Sequence, residues 1–172
     1  TGRTRYSLCT ASLIYNKFVI TAAHCAYSSQ GGLHKEQYFY PGITKANTSP
    51  YGKYRVKKVF HPSRYGAGVT DPNSDFAIME LEANQDGQFP GEVVGTFGYW
   101  GKSSYPDGHH LTIGYPGDNA MAGDFPCQLT GLITRSRRGV INGNAINAIG
   151  FTAAAKCLNE PIAILTGYRL IS

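Results

Sequence analysis

The sequence has no apolar run long enough to span a membrane, and it has no Cys-x-x-Cys pair or Cys/His cluster with the spacing of a zinc site. Charged residues are scarce, at 16% against 42% hydrophobic residues, which excludes an intrinsically disordered polar chain. No segment has a convincing helical pattern, and no repeat or low-complexity tract occurs. What the 172 residues do contain is many glycines (21) and tyrosines (12), a composition that favours short strands joined by turns. We therefore expect an all-β fold.

Four cysteines outside any metal-ligand spacing indicate two disulfides formed in an oxidising compartment. We expect a secreted, extracellular protein in its mature form, with the leader already removed. Cys9 and Cys25 lie near the two ends of a predicted hairpin, where a bond between them would stabilise the fold by about 3 kcal/mol. Cys127 and Cys157 are predicted to form the second disulfide, with two free buried thiols as the alternative.

The net charge of +5 is spread over three short basic stretches, and no aromatic or Gly-rich nucleic-acid motif accompanies them. We interpret them as a solvated basic face and expect neither nucleic acid nor a membrane as a partner. His61, His109 and His110 have no carboxylate or third histidine at ligand spacing, so no metal site and no cofactor are predicted. A monomer is the expected state.

Apolar alternation and turn residues divide the chain into two runs of predicted strands. A polar, Gly/Pro-rich segment, 82–92, separates the two runs and is predicted to be a linker. Asn142-Gly143 predicts a type I′ hairpin within 139–151. The two runs suggest two β-barrels. The predicted strands are 8–14, 18–22, 37–43, 53–62 and 74–81 in the first run, and 110–117, 127–134, 139–151 and 162–171 in the second.

Two polar residues stand at the ends of apolar strands. His24 lies in a short turn directly after a strand and next to Cys25, so that a rigid backbone could hold its imidazole in place. Asp75 opens a strand that is otherwise apolar, where its carboxylate would be desolvated and would need a partner. A carboxylate that accepts a hydrogen bond from a histidine fixes the tautomer of the ring and stabilises the imidazolium formed when a serine is deprotonated.

The segments "ITAAHC" (20–25) and "DFAIMEL" (75–81), with "SLCTASLI" before them, resemble the trypsin-like serine endopeptidases, and "IGYPGD" (113–118) resembles their glutamyl-endopeptidase-like branch. The resemblance implies two six-stranded antiparallel barrels in one peptidase domain, 1–82 with His24 and Asp75 and 83–172 with Ser136. His24 would be the general base, Asp75 the orienting carboxylate and Ser136 the nucleophile. The start "TGRTRYSLC" predicts that the first barrel lacks its first strand.

Around Ser136 the sequence departs from the family's Gly-Asp/Asn-Ser-Gly pattern. Thr134 stands where the family has the glycine that donates to the oxyanion hole, and Arg137 replaces a second glycine. Only about twenty residues separate "GYPG" from Ser136, roughly half the usual number. Two explanations stay open: the second barrel is incomplete by one strand-loop-strand unit, or the sequence omits an internal piece.

The resemblance also bears on substrate binding. The backbone of Gly150, Phe151 and Thr152 would pair with an extended substrate as an added strand. Ile149 stands where glutamyl-specific relatives place a histidine, and Thr130 lies near the place where trypsin carries its pocket aspartate, so the preferred residue is not predicted.

Two functions remain: a secreted serine endopeptidase that uses the Ser136, His24 and Asp75 triad, or a catalytically inactive homologue that binds a protein partner. The intact His24 and Asp75 favour the enzyme, and Thr134 and Arg137 favour the binding module.

Overall fold

The protein is described by a computed structural model, which covers residues 6–27, 32–43, 49–65, 74–98, 108–115, 127–133, 154–157 and 165–171. The regular structure of these residues consists mainly of antiparallel strands, with a short α-helix and a 3₁₀ turn at Ala23–Cys25, so the predicted strand-rich class is confirmed. Among the described residues, no helix has both the length and the apolarity needed to cross a bilayer. The strands are β1 (Tyr6–Tyr15), β2 (Phe18–Thr21), β3 (Glu36–Pro41), β4 (Tyr54–Phe60), β5 (Ala77–Leu81), β6 (Gly108–Gly114), β7 (Cys127–Ile133), β8 (Ala154–Cys157) and β9 (Leu165–Ile171).

The predicted hairpin forms from β1 and β2, which pair antiparallel with Leu13 opposite Val19. Both of these side chains are fully buried, as the apolar alternation of the two strands requires. Cys9 and Cys25 form the predicted disulfide, with their Cα atoms 6.1 Å apart. The bond therefore joins β1 to the turn that follows β2 and closes a loop of 16 residues.

A closed barrel contains six strands in the order β1-β2-β5-β4-β3-β9. The strand β9 pairs with β1 on one side, over Tyr6 to Ser12, and with β3 on the other. The predicted division assigned β9, with the rest of 83–172, to the second barrel. The structure instead has β9 in the first barrel. The physical reason is that β1 and β3 would otherwise present two unpaired edges, which a barrel removes only by closing. The boundary near residue 82 itself stays a prediction.

The barrel core is made by inward-facing side chains that alternate along β3 and β5 with outward-facing ones. A tyrosine and a phenylalanine are its largest side chains, and both are at most 1% exposed. Aliphatic side chains from β1, β2 and β5 complete the packing. The buried cluster comprises Ala11, Leu13, Val19, Ala26, Phe39, Tyr54, Met79 and Leu81.

The predicted linker, 82–92, contains a hydrogen-bonded turn and the start of a short helix. Asn84 Oδ1 accepts the backbone N–H groups of Asp86 and Gln88 at 3.0 and 2.9 Å, and a one-turn helix, α1 (Pro90–Val94), follows. The expectation of no helix is therefore wrong at this point. Gly91 donates to the Asn16 carbonyl at 2.9 Å, and a Cβ on Gly91 would lie 2.6 Å from the Asn16 Cα. The close approach of α1 to the β1–β2 turn thus requires glycine here.

The second run of strands is represented by a three-stranded antiparallel sheet in the order β6-β7-β8. β6 and β7 correspond to predicted strands, whereas β8 was not predicted. The predicted hairpin over 139–151 lies outside the described residues. Tyr115, directly after β6, connects this sheet to the barrel: its N–H donates to Thr10 Oγ1 at 2.7 Å and its hydroxyl donates to the Ile43 carbonyl at 3.1 Å. A second six-stranded barrel stays a prediction.

Candidate active site

His24 sits in a 3₁₀ turn, Ala23–Cys25, that begins two residues after β2 ends. The turn is held by the N–H groups of Cys25 and Ala26, which donate to the carbonyls of Ala22 and Ala23 at 3.1 and 2.9 Å. The disulfide from Cys25 to Cys9 ties the turn to β1. The backbone of His24 is therefore fixed on both sides, while its side chain remains half exposed at 49%.

Asp75 reaches His24 because of the register between β2 and β5. The pair Thr21 and Ala77 is the last one of this antiparallel ladder, so the residues after β2 and those before β5 emerge at the same end of the barrel. A tight turn precedes β5, in which the Phe76 N–H donates to the Ser74 carbonyl at 2.9 Å. Ser74 is buried, and the Asp75 side chain is only 19% exposed.

Both oxygens of Asp75 bind His24. The Oδ2 atom lies 2.7 Å from the ring Nδ1, and Oδ1 accepts the backbone N–H of His24 at 2.8 Å. An ionised carboxylate can only accept, so Nδ1 must carry the proton, and the neutral ring presents its lone pair at Nε2. The arrangement selects the tautomer that a general base needs and pairs any positive charge that later forms on the ring.

Tyr65 lies on the inner side of this pair and is only 8% exposed. Burial raises the pKa of its hydroxyl, and the nearby negative charge of Asp75 raises it further. The hydroxyl therefore stays protonated beside the carboxylate. Sequence reasoning missed Tyr65, because it lies in the turn after β4 and not in a periodic element.

A second aromatic contact lies next to Tyr65. The Tyr27 ring packs on Tyr65 with centroids 5.8 Å apart, and the Tyr27 hydroxyl is hydrogen-bonded to His61 Nε2. His61 Nδ1 lies 2.9 Å from the Pro62 carbonyl, which accepts a hydrogen bond from Nδ1–H, so that Nε2 is left to accept from the Tyr27 hydroxyl. Both nitrogens of His61 are thus engaged by protein groups, which accounts for its place in the structure without a metal.

Three potential metal-ligand atoms, from Cys9, His24 and Cys25, lie within 4.8 Å of one another. The two sulfur atoms are bonded to each other and are not thiolates, which are the form of cysteine that binds metals. His24 Nδ1 is taken up by Asp75. This cluster therefore does not have the donor set of a metal centre.

The other predicted site residues lie outside the described residues: Ser136, with its neighbours Thr134 and Arg137, and the substrate-binding residues Gly150, Phe151 and Thr152. Their roles stay predictions. Cys127 and Cys157 lie in described strands and are directly opposed in the register of β7 and β8. Opposed residues of antiparallel strands have Cα atoms about 4.5 to 5.5 Å apart, within the range that a disulfide spans. The backbone is thus compatible with the predicted second disulfide.

Comparison with known proteins gives the family. The family model described as Trypsin matches residues 1–135. The chain belongs to the trypsin family. The resemblance seen in "ITAAHC" and "DFAIMEL" is thereby confirmed, and this membership places the chain among the trypsin-like serine proteases.

A glutamyl endopeptidase from Bacillus licheniformis is 37% identical over 112 residues, a match that covers 64% of this chain and 33% of that relative. The chain thus spans about a third of the length of the curated relative it matches. This similarity supports the assignment to the glutamyl-endopeptidase-like branch.

Solved structures with the same fold include the protease Anisep from Arthrobacter nicotinovorans, with a TM-score of 0.62 at 16% identity, covering 94% of this chain and 88% of that one. A Glu endopeptidase in complex with MPD gives a TM-score of 0.63 at 19% identity, covering 95% and 80% of the two chains. The thermostable serine protease AL20 from an extremophilic microorganism gives 0.60 at 15% identity, covering 94% and 89%. These likenesses establish a trypsin-like fold.

Proposed function

We propose that this trypsin-family chain is a secreted serine endopeptidase that hydrolyses peptide bonds with Ser136 as nucleophile, His24 as general base and Asp75 as orienting carboxylate. The observation that carries the proposal is the two-point contact between Asp75 and His24, at 2.7 and 2.8 Å. One contact fixes the ring and the other fixes the backbone that carries it. A histidine held for structural reasons alone does not need both.

In the proposed reaction, Ser136 Oγ attacks the carbonyl carbon of the scissile bond as its proton passes to His24 Nε2. The negative charge develops on the carbonyl oxygen of the tetrahedral intermediate. The C–N bond then breaks, and Nε2 returns the proton to the leaving amine, which leaves an acyl ester on Ser136. Water hydrolyses the ester by the same steps, with His24 again taking and giving the proton. Asp75 stays ionised throughout and pairs the imidazolium.

The protease family implies a protein or peptide substrate, and the backbone of Gly150 to Thr152 is the part of the sequence proposed to pair with it. The name of the curated relative points to cleavage after glutamate. Ile149 cannot supply the imidazole that the family uses to recognise that side chain, and Thr130 supplies no carboxylate for Lys or Arg. We therefore expect this chain to discriminate weakly between Glu and Gln at the cleaved bond.

A fluorophosphonate probe tests the proposed activity, because it reacts covalently with a serine that a neighbouring base has activated. We expect the folded wild-type protein to be labelled, and Ser136→Ala and His24→Ala to be unlabelled. Mass spectrometry of the labelled peptide should place the adduct on Ser136. Ser74→Ala is the matched control, since it removes a buried serine hydroxyl next to Asp75 and should retain labelling.

Absence of labelling in the correctly folded wild-type protein would contradict the proposal and favour a protein-binding role. Peptide mapping of the natural protein across 113–139 would test the short distance between "GYPG" and Ser136. Peptides that match the printed residues mean that the second barrel is built from this segment as it stands. Additional residues within the segment mean that an internal piece is omitted.

A further inference from the structure

We propose that a groove on the first barrel binds an extended, acidic segment of the protein substrate, away from the bond that is cleaved. The groove lies between residues 33–37 and residues 55–59 and has a volume of about 370 Å³. Its binding of an acidic peptide is a property of the described residues alone. The kinetic consequence rests on the proposed function.

The groove forms where the strands β3 and β4 part. The ladder between these two strands has two residue pairs and ends at Tyr38 and Arg55, whereas β4 stays paired with β5 as far as Phe60. Within the described chain, no strand pairs with the β3-facing side of β4 beyond Arg55. An extended peptide can add to such a strand edge through its own backbone N–H and C=O groups.

The charged side chains that line the groove are mostly positive, and they are exposed. The positively charged ones are Lys35, Arg55, Lys57 and Lys58. Lys57 Nζ lies 3.6 Å from a carboxylate oxygen of Glu80, while the other three have no ion pair with any described residue. Glu36 is the acid of the lining, and it accepts a hydrogen bond from the Tyr38 hydroxyl at 3.5 Å. The excess of positive charge favours an anionic ligand.

The uncharged part of the lining favours a peptide over other polyanions. Val56 and Val59 are half-buried and pack against the barrel core, and Leu33 is 49% exposed. In an extended peptide, neighbouring side chains point to opposite sides, so small apolar residues can face this floor while acidic residues face the lysines. The lining contains no Phe, Tyr or Trp on which the bases of a nucleic acid could stack.

Both walls of the groove are joined to the turn that carries His24. In one wall, the His34 N–H donates to the carbonyl of Ala26, the second residue after His24, at 3.1 Å. In the other wall, Val59 packs against the buried cluster that includes Ala23, the residue before His24. We therefore expect a protein substrate that extends from the active site on this side to reach the groove.

The test measures binding by fluorescence anisotropy, with a labelled peptide in which aspartate and valine alternate as the probe. The full chain carries His24→Ala, so that the probe is not cleaved. We expect Arg55→Gln and Lys58→Gln, each added to this chain, to raise Kd about threefold, the effect of losing one exposed ion pair, and together about tenfold. Kd should also rise between about 50 and about 500 mM salt, because exposed charges are screened.

Lys53→Gln is the matched control. Lys53 is exposed and directly precedes β4, but its Nζ lies over the Tyr38 ring, 5.1 Å from the centroid, and it does not line the groove. We expect this variant to keep the original Kd. An equal loss in Lys53→Gln would mean that the probe responds only to the net charge of the chain. Displacement of the probe by a single-stranded oligonucleotide at lower concentration than by the unlabelled peptide would mean a nucleic-acid site. Either result, or no saturable binding, overturns the proposal.

A second probe tests the pairing with the edge of β4. Proline in place of each valine keeps the charges and removes the backbone N–H groups of those residues. We expect this probe to bind about tenfold more weakly, because hydrogen bonds to the strand edge are lost. Equal binding of the two probes would show that the peptide does not add as a strand, and this part of the proposal would be overturned.

The kinetic consequence is measured on the chain with His24 intact, using two peptide substrates that share the cleaved bond, one of which carries the acidic extension. Contacts in the groove are the same in the ground state and the transition state. We therefore expect Arg55→Gln with Lys58→Gln to raise KM for the extended substrate about tenfold, with kcat and the short substrate unchanged. Equal changes for both substrates overturn the proposal. If neither substrate is cleaved, the proposed function fails, while the anisotropy still decides whether the groove binds the acidic peptide.

Discussion

The turn that carries His24 and the segment that carries Ser136 contrast sharply in how strongly the sequence specifies them. Around His24, a hairpin, a disulfide and the register of β2 with β5 each lead to the same backbone position. Around Ser136, Thr134 and Arg137 replace glycines of the family pattern, and the preceding segment is short. The difference teaches that a proton relay and its nucleophile are specified separately. One half of the site can be specified by several independent features of the sequence while the other depends on one short segment.

The largest expected effect comes from Asp75→Asn. An amide at this position donates as well as accepts, so it favours the wrong tautomer of His24 and cannot pair an imidazolium. In a serine protease triad this substitution lowers kcat about 10⁴-fold while the geometry is kept. We expect a loss of that order in peptide hydrolysis, with the unfolding midpoint nearly unchanged.

Glu80→Gln is the control for Asp75→Asn, because it also changes an acid to an amide. Glu80 lies on strand β5, and its carboxylate binds Lys17. Glu80→Gln should retain full activity. If Asp75→Asn were as active as Glu80→Gln, the contact between Asp75 and His24 would not be needed for catalysis.

The two predicted disulfides give the next largest effect and sharpen the comparison between the two regions. Replacing Cys9 and Cys25 together by alanine should lower the free energy of unfolding by about 3 kcal/mol, measured by urea denaturation, because the unfolded chain regains the entropy of a loop of about 16 residues. The matched variant replaces Cys127 and Cys157. If these two are bonded, the loss should be at least as large, since their loop is longer.

Peptide mapping of the unreduced protein shows directly whether Cys127 and Cys157 are bonded. A peptide linking Cys127 to Cys157 is the expected result. Two alkylatable thiols at these positions would contradict the second disulfide and would leave the strand pair β7 and β8 to be held by the sheet alone.

The strands of the first run could be predicted from the sequence because their alternation coincides with burial. Val19, Phe39 and Met79 all face the core, as the period of two requires. The pairing of β9 with β1 and β3 could not be predicted, because alternation identifies a strand and says nothing of its partners. The helix α1 was missed because a single turn that begins at a proline and contains a glycine has no period to detect.

The candidate site, too, could be predicted from the sequence only in part. The positions of His24 and Asp75 followed from the family resemblance, and the structure brings the two together. The second contact, from the backbone N–H of His24, depends on the turn geometry and cannot be recognised in the amino-acid sequence. Tyr65 lies 10 residues before Asp75 in the chain, in a segment without periodicity, and only the packing of the barrel end brings its ring against Ala23 and Ala77.

The smallest expected effect concerns Glu80, the carboxylate within β5, and shows how differently it behaves from Asp75, which precedes that strand. Lys17 Nζ lies 2.8 Å from Glu80 Oε1, and Lys57 Nζ lies 3.6 Å from the same atom. The hydrogen bond from Lys17 lowers the pKa of Glu80 below its ordinary value of 4.5; burial opposes this shift, and the charges of Lys17 and Lys57 add to it. A lowered pKa in the folded state means that Glu80 stabilises the fold above its unfolded pKa and that this contribution disappears as the pH falls through the folded value.

We therefore expect Glu80→Gln to lower Tm slightly at pH 7, and the difference from wild type to shrink towards zero near pH 3. Differential scanning calorimetry at both pH values measures this. Raising the salt concentration at pH 7 should also reduce the difference, because the lysines are partly exposed and the ion pairs are screened. Parallel curves of Tm against pH for the two proteins would show that the charge of Glu80 does not contribute to stability.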